Sequence, residues 1–300
     1  MKLARSSFYY NPRGKDPEQM RAEADVRDKI EAICLEFPRY GYRRVTHQLK
    51  HEGCQINHKK VLRLMRESDL LCCVKRKWVK TTDSRHRFPK YPNLIKRMAI
   101  SRLNQVWLAD ITYIRIKTGF VYLAAILDAY SRRVIGYAVS ASLDTSLTLK
   151  ALRMAVAERH PGSGVIHHSD QGVQYASVEY VEELKGYGFQ ISMARTGNPY
   201  ENAMMESFFK TLKYEEVQLY EYETFDDVIT RLPHFLEGVY NQKRLHSALG
   251  YRSPNDFKEL LLIQEVNGLP RQTLLTLSCP AIGVQSIYRQ TYSRAISAHK

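Results

Sequence analysis

The sequence predicts an α/β fold in which a mixed sheet, flanked by helices, follows a helical N-terminal region. After residue 105, β-branched and aromatic residues form short runs, first as a meander and then in alternation with helical segments, which is typical of a mixed sheet. Before that point, apolar residues recur at helical spacing. The length of 300 residues suggests about two domains.

The N-terminal region reads as three helices. The first is expected over residues 18–36, and a second over residues 42–51 after a proline and a glycine interrupt the chain. Asn57 can cap a third helix, HKKVLRLMRE. Two short basic helices joined by a turn indicate a helix-turn-helix that binds DNA, and an ordinary helical hairpin is the alternative.

The α/β region contains five predicted strands. They are QVWLADITYIRI, two strands within GFVYLAAILDAYSRRVIGYAVS, VIHHSD and FQISM. The intervening helices are TSLTLKALRMAVAERH, with Thr145 or Ser146 as its cap, and VEYVEELKGYG. GNPYENAMMESFFKTLKYE then begins as a turn and continues as a helix, and the chain after Glu215 is mostly helical.

The positive charge is concentrated in one segment. The formal net charge is +14, and residues 39–98 hold seventeen Lys and Arg against four Asp and Glu, which gives +13. Such a segregated excess is typical of a surface that binds a polyanion, although a solvated basic surface is the alternative. The predicted DNA contacts here are Arg43, Arg44, Lys59, Lys60, Arg63, Lys75, Arg76 and Lys77.

Residues 75–100 combine prolines with many basic residues and no periodicity, which indicates a basic linker that could follow a phosphate backbone. This linker would join a helical region, residues 1–74, to an α/β region, residues 101–262. The tail, residues 263–300, does not continue the pattern and is expected to be poorly ordered.

Membrane insertion and secretion are not expected. No run of about 18 apolar residues occurs, and the N-terminus lacks the apolar segment of a secretion signal. The five cysteines are odd in number and irregular in spacing, which favours reduced thiols and does not favour a zinc site. The chain is therefore predicted to act in the cytoplasm.

Three acidic residues occupy positions where a lone carboxylate is costly to bury. Asp110 interrupts the strand VWLADITYI, Asp170 ends the strand VIHHSD, and Glu206 lies among methionines and phenylalanines. Three carboxylates that meet would repel one another unless cations neutralised them, and Mg²⁺ or Mn²⁺ prefers such oxygen ligands. Two such ions about 4 Å apart can promote phosphoryl transfer.

Each acid also has a structural interpretation. Asp110 could bond to Thr112, Asp170 could begin the following turn, and Glu206 could form an ion pair with Lys210 one helical turn later. The order of the three acids, with thirty-five residues between the last two, favours the functional interpretation.

Four blocks resemble, in order, the DDE transposases of bacterial insertion sequences. They are WLADITYI, LDAYSRRVIGY, HHSDQGVQYAS and SMARTGNPYENAMMESFFKTLKYE. The strongest resemblance is to the second-reading-frame (OrfB-type) protein of the IS3 family, which is related to retroviral integrases. YNQKRLHSALGYRSPNDF is similar to the end of that family's catalytic region, and YGYRRVTHQLKHEG to its helix-turn-helix.

The resemblance implies an RNase H-like integrase catalytic core, which is a mixed five-stranded sheet flanked by helices, with Asp110 on the central strand. The implied catalytic triad, which would bind Mg²⁺ or Mn²⁺ as two ions, is Asp110, Asp170 and Glu206. Lys213, seven residues after Glu206, matches a basic residue of the family that is implied to contact the DNA end. Further candidates for DNA contact are Asn202, which could instead orient the carboxylate, and Lys210.

Three other polar residues invite a catalytic role. Asp128, in LDAYSRR, is a rival third carboxylate that ranks below Glu206, because Ser131 and Arg132 could pair with it. His167 and His168 are expected to pack or to form hydrogen bonds, since no other histidine shares their spacing.

The implied function is a DNA transposase that hydrolyses a phosphodiester at the end of the element and transfers the strand. The implied partners are DNA, as terminal inverted repeats and target, further copies of the chain on that DNA, and an upstream-frame (OrfA-type) protein as a fusion or partner. The implied location is the bacterial cytoplasm, on the nucleoid. An RNase H-like nuclease that cuts without joining, and a DNA-binding regulator without chemistry, are the alternatives.

Overall fold

The structure, a computed structural model, describes residues 16–72, 89–194 and 202–266. It begins with three helices, which are α1 (Pro17–Glu36), α2 (Tyr42–His51) and α3 (His58–Glu67). Their apolar faces meet in one buried core, formed by Ile30, Ile33, Val45, Leu49, Val61, Leu64 and Met65. The predicted cap of α3 is confirmed, because the Asn57 side chain accepts a hydrogen bond from the Lys59 amide at 2.8 Å.

A five-stranded sheet forms the centre of the second region. Its strands are β1 (Val106–Ile116), β2 (Gly119–Asp128), β3 (Val134–Ser140), β4 (Ile166–Ser169) and β5 (Gln190–Met193). The spatial order is β3-β2-β1-β4-β5. β2 pairs antiparallel with both β1 and β3, and β4 pairs parallel with both β1 and β5. The predicted mixed sheet is confirmed, and the strand that carries Asp110 is central.

Side chains that alternate along β1 divide the core of this region into two layers. Val106 and Leu108 face the layer formed with the helices that follow β5. Trp107 and Ala109 face the opposite layer, which is formed with the helices between β3 and β5. The sheet is therefore covered on both faces.

The helices of this region are α4 (Thr145–Arg159), α5 (Val173–Ala176), α6 (Val178–Gly186), α7 (Ala203–Leu212), α8 (Gln218–Tyr220), α9 (Phe225–Pro233) and α10 (Pro254–Val266). A π-helical turn, Lys213–Val217, continues α7, and a second one, His234–Asn241, continues α9. A short 3₁₀ turn spans Ser247–Leu249. None of the described helices is both long and apolar enough to cross a membrane.

The predicted cap of α4 was wrong by one residue. Asp144, not Thr145 or Ser146, precedes the helix in an extended conformation, and its carboxylate accepts a hydrogen bond from the Leu147 amide at 3.1 Å. The Ser146 hydroxyl donates to the same carboxylate at 2.7 Å. An ionised carboxylate accepts stronger hydrogen bonds than a hydroxyl does, and it also suits the positive end of the helix.

The N-terminal helices pack against the C-terminal part of the chain. The oxygen of Tyr40 accepts a hydrogen bond from the Leu245 amide at 2.9 Å. The Leu245 side chain is buried in the same core as α2 and α3. The His47 ring stacks on the Tyr251 ring with 3.6 Å between their centres. This docking surface, formed by Tyr40, His47, Leu245 and Tyr251, joins the two regions.

The predicted basic linker is described only from residue 89 onward, where it lies against the sheet. The Leu94 amide donates to the Ser192 hydroxyl at 2.9 Å, and the Pro92 carbonyl accepts from the Met193 amide at 3.4 Å. Lys75, Arg76 and Lys77 lie outside the described residues.

The predicted tail, residues 263–300, begins inside α10. That helix continues to Val266, and residues 267–300 lie outside the described part of the chain.

Candidate active site

Asp110 and Asp170 lie side by side at the centre of the sheet. β1 and β4 are parallel neighbours, and Leu108 pairs with His168. The same register, continued by two residues, sets Asp170 next to Asp110, just past the end of β4. Because paired residues of neighbouring strands point to the same face, both carboxylates are on the side of the sheet that α7 contacts.

The Asp110 carboxylate is held by two hydrogen-bond donors. The Ile111 amide donates to Oδ1 at 2.7 Å, and the Asn202 side chain donates through Nδ2 to Oδ2 at 3.0 Å. Burial raises the pKa of Asp110 to about 8, and the charge of Asp170 adds to the rise. In the absence of a cation, Asp110 is therefore mostly protonated at neutral pH.

Lys213 is a positive neighbour of these acids. Its ammonium lies 4.4 Å from the centre of the Tyr113 ring, on the strand that carries Asp110. Burial lowers the pKa of Lys213, and the charge of Asp110 opposes that shift. The lysine predicted to contact DNA is therefore electrostatically coupled to the first carboxylate.

Asp170 closes the turn that follows β4. Its Oδ1 atom accepts a hydrogen bond from the Gly172 amide at 2.9 Å. A β-carbon at position 172 would lie 2.9 Å from the same oxygen, which is closer than such atoms approach in proteins. A glycine at 172 therefore leaves the space that this carboxylate occupies.

Glu206 forms an ion pair on its own helix, although its charge also contributes to the raised pKa of Asp110. Its carboxylate pairs with the Lys210 ammonium at 2.8 Å, and 41% of its side chain is exposed. In the described ranges, no three Asp, Glu, His or Cys side chains lie close enough together to hold a metal ion. Asp110 and Asp170 are thus brought together, whereas Glu206 makes the i,i+4 ion pair that the sequence left as its alternative.

Comparison with protein families gives three matches. The Integrase core domain family matches residues 101–199, and a second family of that description matches residues 187–254. The HTH-like domain family matches residues 21–78.

Several curated proteins are similar over most of this chain. The transposase for insertion sequence element IS904 of Lactococcus lactis is 38% identical over 246 residues, which are 81% of this chain and 97% of that protein. Transposase InsF for insertion sequence IS3A of Escherichia coli is 33% identical over 263 residues, which are 86% and 91%. The chain belongs to the IS3 family of insertion-sequence transposases.

A further relative is the uncharacterized 31 kDa protein of insertion element IS600 of Shigella sonnei, which is 39% identical over 84% of this transposase and 94% of that protein. A similar solved structure is the HTLV-2 integrase catalytic core domain in complex with magnesium. It has a TM-score of 0.40 and 17% identity, and covers 51% of this chain and 95% of that one. The transposase is thus a DDE polynucleotidyl transferase with an RNase H-like integrase core.

The donor set of the transposase fits a hard divalent cation, and the integrase core family is metal-dependent. Asp110 and Asp170 supply adjacent carboxylate oxygens, which Mg²⁺ and Mn²⁺ prefer. The Oδ1 atom of Asn202 is buried and has no hydrogen-bond partner within the described ranges. Glu206 completes a set of three carboxylates only after it leaves Lys210.

Asp128, the rival carboxylate, points to the other face of the sheet. It pairs with Trp107, whose side chain lies in the layer opposite to Asp110. Its carboxylate accepts hydrogen bonds from the Ser131 amide and hydroxyl, both at 2.8 Å, and from the Asn104 amide at 2.8 Å. This buried group holds the turn between β2 and β3.

The two histidines before Asp170 are buried and hydrogen-bonded, as the sequence predicts. The His167 Nε2 atom lies 2.9 Å from the Tyr180 hydroxyl, and the His168 Nδ1 atom lies 2.8 Å from the Ser192 hydroxyl. Burial lowers the pKa of His167 to about 3, so this ring is neutral at physiological pH.

The predicted DNA contacts of the N-terminal helices fall into two groups. Arg43, Lys59 and Lys60 are exposed. The other two arginines form ion pairs within the protein. Arg63 pairs with Glu23 at 3.0 Å and with Glu67 at 2.8 Å, and Arg44 pairs with Glu215 at 3.2 Å.

A cavity of about 140 Å³, which the sequence did not predict, lies beside α7. Basic residues from three parts of the chain line this arginine cavity: Arg44, Arg132, Arg244 and His246. Arg132 and Arg244 fall within sequence blocks that mark the family, but more than a hundred residues separate them. No spacing pattern in the sequence indicates that they meet.

Proposed function

We propose that the transposase hydrolyses a phosphodiester at the end of an insertion sequence and then joins the released 3′-OH to a second phosphodiester. The proposed ligands of two Mg²⁺ or Mn²⁺ ions are Asp110, Asp170 and Glu206. The observation that carries this proposal is the side-by-side position of Asp110 and Asp170 on adjacent parallel strands, with Lys213 and Asn202 next to them.

Bound ions of this kind activate an attacking water or hydroxyl and stabilise the leaving oxygen. The residues of the chain prepare the site for them. Asp110 releases the proton that burial favours. Asn202 keeps the Asp110 carboxylate in place by donating a hydrogen bond to its Oδ2 atom. Glu206 exchanges its ion pair with Lys210 for the third ligand position.

The release of Lys210 couples the carboxylates to DNA binding. Once Glu206 leaves Lys210, the Lys210 ammonium can contact a DNA phosphate, and Lys213 lies one helical turn further on. Both lysines are proposed to hold the DNA end near Asp110. Asn202 is proposed to position the Asp110 carboxylate.

The exposed basic residues of the N-terminal helices are proposed to bind the DNA farther from the cut. Lys59 and Lys60 lie in the first turn of α3, and Arg43 lies in α2, so these helices would contact terminal inverted repeats. Arg63 can add to this contact once it leaves its acidic partners. Lys75, Arg76 and Lys77 would extend the same basic surface.

The proposed assembly contains more than this chain. Joining an element end to a target requires both DNA segments in one complex, so self-association on DNA and an OrfA-type partner are included in the proposal. The proposed location is the bacterial cytoplasm, on the nucleoid.

The deciding experiment compares Asp170→Asn with the exposed control Asp226→Asn, using a labelled element end, target DNA and Mg²⁺. We expect Asp170→Asn to lower strand cleavage and joining more than about 100-fold. Substitution of a residue that only hydrogen-bonds to a metal ligand already lowers activity about 10–100-fold, and Asp170 is proposed as a ligand itself. DNA binding should remain. Asp226→Asn should cut and join like the wild type.

Each of the other outcomes counts against a specific part of the proposal. Unchanged processing by Asp170→Asn would remove Asp170 from the site. Cleavage without joining by the wild type would indicate a nuclease, and binding without any processing would indicate a regulator.

A further inference from the structure

The arginine cavity contains more positive than negative charge. Glu215 is the carboxylate that pairs with its arginines: it accepts hydrogen bonds from Arg244 at 2.6 and 2.8 Å and from Arg44 at 3.2 Å. One carboxylate thus serves two guanidinium groups. The third group, on Arg132, forms no side-chain hydrogen bond or ion pair with the part of the chain that the structure describes.

Arg132 is costly to leave in this position without an anion. Its side chain is partly buried, and this burial lowers the pKa of Arg132. Its backbone also has a positive φ of 60°, which is unfavourable for a residue with a β-carbon. The Arg132 side chain lines the cavity, and its guanidinium has no acidic partner among the described residues.

The remaining polar lining consists of uncharged donors. Ser207 and Thr211 on α7 and Ser247 beyond it present hydroxyl groups to the cavity. Burial and the neighbouring arginines lower the pKa of His246 well below its usual range, so its ring adds no charge at physiological pH. Guanidinium and hydroxyl donors together match the oxygen atoms of a phosphate group.

The size of the cavity suits such a group. Its volume of about 140 Å³ is close to that of engineered cavities of ~150 Å³, which hold a benzene molecule. A phosphate group fits within that space.

We propose that the arginine cavity binds one backbone phosphate of the DNA that the transposase holds. The inference rests on the proposed function for the identity of the anion, and it assigns Arg132, Arg244 and Arg44 to a DNA contact separate from the carboxylates. Helical spacing places the α7 residues of the cavity on the opposite side of the helix from Glu206. The phosphate therefore lies about one helix diameter, ~10 Å, from Glu206.

The origin of Arg44 favours DNA over a free anion. Arg44 belongs to α2, in the basic N-terminal segment, whereas Arg132 and Arg244 belong to the catalytic region. A phosphate in the cavity contacts both regions, so one DNA strand that binds there is oriented against the N-terminal helices and the core together.

The test measures binding of a labelled duplex of arbitrary sequence, without divalent cations, over a range of salt concentrations. The variants are Arg132→Gln, Arg132→Lys and a matched control, Arg115→Gln, whose exposed side chain lies on β1 outside the cavity. Arg132→Gln should lower the slope of log K against log salt by ~0.9, the value for one phosphate contact. Arg132→Lys and Arg115→Gln should keep the wild-type slope.

A second measurement separates DNA from a free anion. Inorganic phosphate should raise the midpoint of thermal unfolding of the wild type and Arg115→Gln, but not of Arg132→Gln. Stabilisation by phosphate together with equal DNA slopes for Arg132→Gln and the wild type would indicate a free-phosphate site and overturn the DNA assignment.

Two further outcomes also overturn the inference. Equal loss of slope in Arg132→Gln and Arg115→Gln would mean that binding follows net charge alone. An unchanged slope with no effect of phosphate would mean that the cavity binds no anion. Because no strand is cut in these measurements, failure of the proposed catalytic triad would leave their result unchanged.

Discussion

Burial holds a proton on Asp110 and keeps one off His167. The first side chain lies on one face of the sheet with a pKa of about 8, and the second lies on the opposite face with a pKa of about 3. The cause is the same in both cases, since the loss of water disfavours whichever form is charged. A cation can satisfy Asp110, whereas His167 already has the Tyr180 hydroxyl.

The pKa of His167 predicts how stability depends on pH. Between its ordinary value of 6.5 and about 3, the unfolded protein binds a proton that the folded protein does not. The free energy of unfolding should therefore fall as the pH falls through this window, by up to ~1.4 kcal/mol per pH unit. His167→Gln should remove this contribution in urea unfolding measured at pH 7, 6 and 5.

The exposed His58 gives the control for this measurement. His58→Gln should show the same pH dependence as the wild type. If His167→Gln showed it too, His167 would not be the group that titrates.

The sequence indicated which acids are candidates for the site, but not how their side chains are arranged. Asp110 and Asp170 are conspicuous because each interrupts or ends an apolar strand. The orientation of Glu206 could not be predicted, because the ion pair with Lys210 and a metal site compete for the same carboxylate. The sequence alone does not show which of the two contacts the carboxylate makes.

β3 and α4 approach each other closely at Gly136. A β-carbon at Gly136 would lie 2.3 Å from the Ala151 carbonyl oxygen and 2.7 Å from the Ala155 β-carbon. The absence of a side chain at Gly136 therefore sets the distance between this strand and its helix.

Gly136→Ala should destabilise the protein by ~1–3 kcal/mol, because the added methyl group overpacks this contact. The measurement is the midpoint of urea unfolding. Gly162→Ala is the matched control, since no atom lies within 4 Å of its added carbon, and its midpoint should change little. Equal midpoints for the two variants would show that α4 moves away at no cost.

Most elements were predictable because their periodicity is local. The strands were identified by β-branched runs and the helices by apolar spacing, and the structure contains all five strands. The π-helical turn that follows α7 was not predicted, since the sequence there has ordinary helical spacing. Within that turn, Glu215 accepts a hydrogen bond from Arg244 and Glu216 accepts one from Tyr222, and neither contact follows from the local spacing.

The docking surface between the N-terminal helices and the core contains a buried hydrogen bond between Tyr40 and Leu245. The Tyr40 oxygen accepts from the Leu245 amide, and both residues are buried. Tyr40→Phe should lower the free energy of unfolding by ~1–3 kcal/mol, because it leaves this amide unpaired. The measurement is urea unfolding.

Tyr220→Phe is the control for Tyr40→Phe. The Tyr220 ring is about half exposed, so loss of its hydroxyl should have little effect. Equal stabilities of the two variants would show that water reaches the Leu245 amide.

Contacts across the whole molecule were the least predictable. The sequence indicated a basic N-terminal region and a separate α/β region, but not that Arg44 would leave the basic surface to meet Glu215. It also gave no sign that Arg132 and Arg244 share a cavity. These contacts depend on how whole helices pack against one another, and local sequence patterns do not predict that packing.

The docking surface limits how such transposases can be recombined. Consider a chimera that takes its DNA-binding helices from another family member. Those helices would pack against Leu245, Tyr251 and Glu215 of this chain, which are not the residues they contact in their own protein. The interchangeable module therefore includes the stretch around residues 239–251 as well as the N-terminal helices. Two distant parts of the gene must then be inherited as a pair, although a long catalytic sequence separates them.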